Sequence, residues 1–172
     1  MSSKPIPNTT PQDQFRTDVL PPYEAYVGDK GTEWKARAAG NAVAHFTEHV
    51  WVYYDYHDRS QLHGTTSPER YVEYLANNHC PELKILWDLA LSTKHRFLTR
   101  PAQTRYTTTA TGAVTSRTIA GSTDAIIPGP IDSDAAGAGR LWMPDCNRYF
   151  DDVLEKAVNF WKGYLPMAST YP

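Results

Sequence analysis

TEWKARAAGNAVAHFTEHVWVYYDY, running from Thr32 to Tyr56, is the stretch whose reading decides the fold. At ~100° per residue, Ala39, Ala42, Val43, Phe46, Val50 and Tyr53 fall on one broad face of a helix. Glu33, Arg37, Asn41, Glu48 and Asp55 fall on the opposite face. Thr32 stands where an N-cap belongs, and Glu33 lies in the first turn, where a carboxylate meets the helix dipole favourably. The stretch predicts a long core helix with one wet side. Trp51 projects on that polar side, near Arg37 and Asp55, and is either a candidate interface residue or covered by a packed hairpin.

Working outward, Ser67-Pro68-Glu69 reads as a helix start: a cap, then a proline at the first helical position, then an acid. The helix that follows carries Tyr71, Val72, Tyr74 and Leu75 and ends at Asn77-Asn78. Pro81-Glu82 opens the next, with Leu83, Leu86, Trp87, Ala90 and Phe97 on its apolar face. Upstream, a helix beginning near Pro11 and Asp13 carries Phe15, Val19 and Leu20, the pair Pro21-Pro22 is expected to break or kink it, and Tyr23, Tyr26 and Val27 continue as a short helical turn packed on the body. A last amphipathic helix begins at Asp151 or Asp152, turns Val153, Leu154, Ala157, Val158 and Trp161 inward, and stops at Gly163 and Pro166.

Between the helices and the C-terminal one, composition changes. Residues 105–119 are rich in Thr, Val and Tyr around Thr111-Gly112 and predict a hairpin. Residues 128–139 hold Gly, Pro, Ala and Asp with little to bury and predict a mobile loop. Leu141-Trp142-Met143, a turn at 144–147 and Arg148-Tyr149-Phe150 predict a second small hairpin. The fold class expected is mainly α: a four- or five-helix bundle spanning 13–166, with a β insertion over about 105–150, behind a disordered tail at 1–12.

A chain of 172 residues, 41% of them hydrophobic, can bury a core without staples. The net charge of −2 argues against duplex DNA as a dominant partner, since phosphate binding shows as a basic excess. Cys80 and Cys146 lack CxxC spacing, so neither a disulfide framework nor a cysteine zinc site is expected. No run approaches the ~20 apolar residues of a membrane span, and residues 1–12 lack the apolar core of a signal peptide. The expected compartment is the cytoplasm. P-loop, dinucleotide-binding and nucleophile-elbow motifs are absent from the sequence.

Two constellations carry chemistry. His45-Phe46-Thr47-Glu48-His49 has the H-x-x-E-H pattern of inverted zinc proteases, and histidines four apart on a helix can share a divalent metal with a carboxylate beside them. A third ligand has to come from elsewhere, with Glu73, Glu82, Asp88 and His95 as the options. Against that stands the ordinary reading, in which His49 is a hydrogen-bonded core histidine and His45 a half-exposed one. Asp88, Ser92 and His95 share one sector of their helix beside Lys84, which reads as a solvated face with local charge pairs rather than a triad. Were the two helices to pack edge to edge, His45, Glu48, Asp88, Lys94 and His95 would form a polar groove, with Arg96 and Arg100 around it.

Cys80-Pro81-Glu82-Leu83, Asp88, Ser92-Thr93-Lys94-His95 and Leu98, with Asp152-Val153-Leu154 through Phe160-Trp161, resemble small bacterial proteins built on a HEPN-like helical bundle. The resemblance implies a helical bundle whose enzymatic members are ribonucleases and whose others bind partners. The arginine–histidine spacing of the enzymes is not met: Arg37 to His45 and Arg70 to His79 are too long, and Arg59 to His63 too short. The leading expectation is an interaction or accessory module without enzymatic activity, whose partner is another protein or a second copy of the chain. The rival is a metal-dependent hydrolase or nuclease using His45, His49 and acids from a neighbouring helix.

Overall fold

The computed structural model describes residues 8–94, 127–128, 141–143 and 146–165. Its helices are α1 (Pro11–Gln14), a π-helical turn (Phe15–Val19), α2 (Leu20–Val27), α3 (Glu33–His57), a 3-10 turn (Arg59–Leu62), α4 (Pro68–Asn78), α5 (Glu82–Lys94) and α6 (Phe150–Tyr164). The protein is mainly helical, as the periodicity predicts. The hairpin expected at 105–119, most of the loop expected at 128–139, and His95 lie outside the described residues.

The long helix is the centre. α3 packs on α1, α2, α4, α5 and α6. Being surrounded, it buries more than the single arc its periodicity marks: Ala36, Gly40, Ala44, Thr47 and Trp51 go inside with Ala39, Val43, Phe46 and Val50. Thr47 settles its hydroxyl by donating to the Val43 carbonyl at 2.9 Å. At Gly40 a β-carbon would stand 3.3 Å from Leu89 Cδ2 and 3.4 Å from Phe150 Cζ, so the missing side chain lets α5 and α6 close on α3. Phe46 meets Trp161 edge to face at 5.1 Å, and Phe15 lies 5.3 Å from Phe46.

Two local signals act as read. Ser67 caps α4 by accepting from the Arg70 N–H at 3.2 Å, with Pro68 at the start of the helix. In α6, Val153, Leu154, Ala157, Val158 and Trp161 are all buried. Thr32 occupies the N-cap of α3, but its hydroxyl donates to Asp29 at 2.6 Å rather than capping the helix.

Pro21-Pro22 does not break the first helix. The π turn sits just before the pair, with the Leu20 N–H donating to the Phe15 carbonyl. A proline ring strikes the carbonyl four residues back, here those of Thr17 and Asp18, and both belong to the widened turn. The chain therefore continues helically to Val27, and Tyr26 packs edge to face on Phe150 at 5.2 Å.

Three short strands pair antiparallel in the order β1 (Ile127–Pro128), β2 (Leu141–Met143), β3 (Arg148–Tyr149), with Trp142 opposite Tyr149 and Met143 opposite Arg148. The hairpin predicted from 141–150 forms, and Asn147 at φ 55° turns the chain into β3. Pro128 pairs with Leu141 and so belongs to β1 rather than to the expected loop, and Phe150 opens α6 instead of ending a strand.

Candidate functional site

The two helix edges proposed to meet do so in part. His45 and Glu48 of α3 line a cleft of about 360 Å³ whose far wall is Trp87, Ala90 and Leu91 of α5, closed at one end by the start of α4. His45 Nδ1 lies 3.9 Å from Glu48 Oε2, and both side chains are about half exposed. The wall is apolar. None of the described residues lining it is Lys or Arg. The buried indole Nε1 of Trp87 has no hydrogen-bond partner among the described residues.

Asp88 is not part of this cleft. Of the stripe read as solvated, Lys84 and Asp88 are buried, Lys84 Nζ donating to Asp88 Oδ1 at 2.6 Å with side-chain exposures of 5% and 0%, while the side chain of Ser92 lies outside the described residues. Packing of α5 against α3, α4 and α6 covers positions whose polarity alone marked them as surface. The side chain of Lys94 and His95 itself lie outside the described residues.

His49 turns from the cleft, its Nε2 3.1 Å from the Thr9 carbonyl. Of the acids considered as a third ligand, Glu73 pairs with Arg70 at 3.1 Å, Asp88 with Lys84, and Glu82 with Arg148 at 2.8 Å. Among the described residues no three His, Cys, Asp or Glu side chains gather where one metal ion could be held. Trp51 is a correction of the same kind as Asp88: at 8% exposure it belongs to the core cluster with Leu62 and Trp161, and is no surface platform. The crowding around α3 overrides its helical phase.

No known protein family, curated protein or solved structure matches this chain. The function has to be read from its own side chains.

Two clusters escaped the sequence reading. At the start of α5, Glu82 accepts from Arg148 of β3 and from the Cys80 thiol at 3.4 Å, with Lys156 of α6 at 3.7 Å. Burial alone would raise the Glu82 pKa, but the Arg148 guanidinium and neighbouring donors hold it below the usual carboxylate value. Burial, then the adjacent Glu82, pushes the Cys80 thiol up to about 12, so it is a neutral donor and a poor nucleophile. This cluster ties three elements together.

The second cluster lies where the 3-10 turn, α4 and the end of α6 converge. His63, at φ 51°, stacks on Tyr74 with centroids 4.5 Å apart, and its Nε2 is 3.1 Å from the Tyr164 hydroxyl. His79 stacks on Phe160 at 6.2 Å and meets Tyr164 at 5.6 Å. Behind them Tyr71 is fully buried, next to Tyr164. Burial, then the nearby Tyr164, drives the Tyr71 pKa upward, and burial raises that of Tyr164, so both remain phenols. The sequence marks only a His-Gly turn here; the partners lie up to 101 positions apart.

Proposed function

We propose that this chain is an interaction module that receives a short protein segment bearing an apolar side chain and a basic residue in the cleft between α3 and α5. The observation that carries the reading is the lining of that cleft. Trp87, Ala90 and Leu91 supply an apolar wall, and the half-exposed Glu48 supplies an acid, with no Lys or Arg among the described lining residues. The HEPN-like bundle of a bacterial protein, with binding rather than cleavage as its work, belongs to this proposal. So does a cytoplasmic setting, which two free thiols suit; no helix among the described residues is long and apolar enough to cross a membrane.

Selection of binders from a displayed random-peptide library tests the reading. Enriched peptides should pair an aromatic or aliphatic anchor with Lys or Arg. They should lose at least about tenfold in affinity on Leu91→Glu, and Glu48→Lys should turn the charge preference toward acidic peptides. Enriched peptides indifferent to both substitutions would sink the proposal.

A further inference from the structure

A second cleft, of about 370 Å³, opens between the His63 turn and the first turns of α4. It is separate from the α3–α5 cleft and stands or falls without it. His63, Thr66, Arg70, Glu73 and Tyr74 are among its lining residues. The chemistry differs from that of the first cleft: an imidazole, a guanidinium and threonine hydroxyls line the space beside the Glu73 carboxylate.

The imidazole is held in place. An L-residue in the left-handed region costs energy and persists only where its surroundings require it. Here His63 is pinned by its stack on Tyr74 and by its hydrogen bond with Tyr164. Tyr164, kept a phenol by burial, can donate to Nε2, which leaves the ring proton on Nδ1. That nitrogen has no hydrogen bond among the described residues.

We propose that this cleft binds a phosphate group carried by a small molecule, with Arg70 and the Nδ1–H of His63 as its principal contacts and Thr66 as a neutral donor. Arg70 already holds the Glu73 carboxylate at 3.1 Å, in a pair whose arginine is 71% exposed. A pair whose arginine is this open to water is weak, and a phosphate dianion outcompetes a single carboxylate for a guanidinium. A monocarboxylate would have no such advantage. The volume lies near the lower end of small-molecule sites, room for a phosphate and a compact organic group against the Tyr74 ring.

The test is titration of the full chain with inorganic phosphate, phenyl phosphate and acetate at constant ionic strength. Binding is followed by the imidazole and guanidinium NMR signals of His63 and Arg70. Saturable shifts with both phosphates and none with acetate are expected, phenyl phosphate binding more tightly. Arg70→Gln should weaken binding by about tenfold or more, the loss of a charge-assisted contact. His63→Asn should do the same while keeping a residue that tolerates the left-handed turn. Glu73→Gln should tighten binding several-fold by freeing Arg70. Absence of saturation, no loss on Arg70→Gln, or weakening on Glu73→Gln would overturn the proposal; equal affinity for the two phosphates would overturn its small-molecule part. Should His63→Asn fail to fold, the two α4 variants at Arg70 and Glu73 still decide.

Discussion

Lys84–Asp88 and His45–Glu48 are both pairs about one helical turn apart, on helices that pack against each other. One is sealed in the core at 2.6 Å, and the other sits half exposed on a cleft rim at 3.9 Å. As sequence patterns they are alike. What separates them is the number of neighbours around the helix face that carries them. A spacing of about one helical turn gives a structural tie within α5 and leaves a recognition surface on the facing edge of α3.

The contrast is broken most directly at Asp88. Asp88→Ala strips the buried Lys84 ammonium of its carboxylate and should cost about 3–5 kcal/mol, read as a lowered urea midpoint. The double variant Lys84→Met, Asp88→Leu should recover most of that loss, because an apolar pair avoids desolvation altogether. A single-variant cost below about 1 kcal/mol would place the pair in water after all.

The aromatics sharpen the same contrast. Trp51→Ala should cost about 3–5 kcal/mol as a core truncation, whereas Trp34→Ala, at a residue 68% exposed, should fall within about 0.5 kcal/mol. Thermal midpoints of the two variants measure the gap.

Arg148→Met probes an intermediate case, the Glu82 cluster, and should cost about 1–3 kcal/mol. Its pH signature is directional. A carboxyl held below its ordinary pKa contributes stability above that ordinary value and loses it as pH falls through the depressed one. The variant should therefore be less sensitive to acid than the wild type. Cys80 works in the opposite sense: its raised pKa contributes stability that is full below about pH 9 and declines as pH rises toward 12. Denaturant midpoints across both ranges check the two signs, and alkylation of native Cys80 at neutral pH should be slow beside that of the unfolded chain.

The smallest effect belongs to the cleft rim. Glu48→Gln should change stability by less than about 0.5 kcal/mol, since a half-exposed pair is screened by water. A larger loss would make Glu48 structural and remove it from the proposed recognition role.

Helix positions were legible from local rules. Ser67-Pro68-Glu69 starts α4, and the apolar spacing of Val153 to Trp161 sets the buried face of α6. Part of the candidate cleft was legible too, because His45 and Glu48 lie on a helix edge that meets α5. Trp51, Lys84 and Asp88 were misread for one reason. Helical phase reports which residues share a face, but how many faces are covered depends on the helices that arrive from elsewhere.

What the sequence determined by itself, then, is what acts within a few residues: caps, periodicity, the strand–turn–strand before α6, and a composition able to bury a core. The tertiary structure alone decided that α3 is enclosed on several sides and that a Lys–Asp pair belongs inside. It alone brought His63 to Tyr164 across 101 positions. Local signals reach about one helical turn, whereas burial and long-range hydrogen bonds depend on packing between segments whose separation along the chain carries no record of their contact.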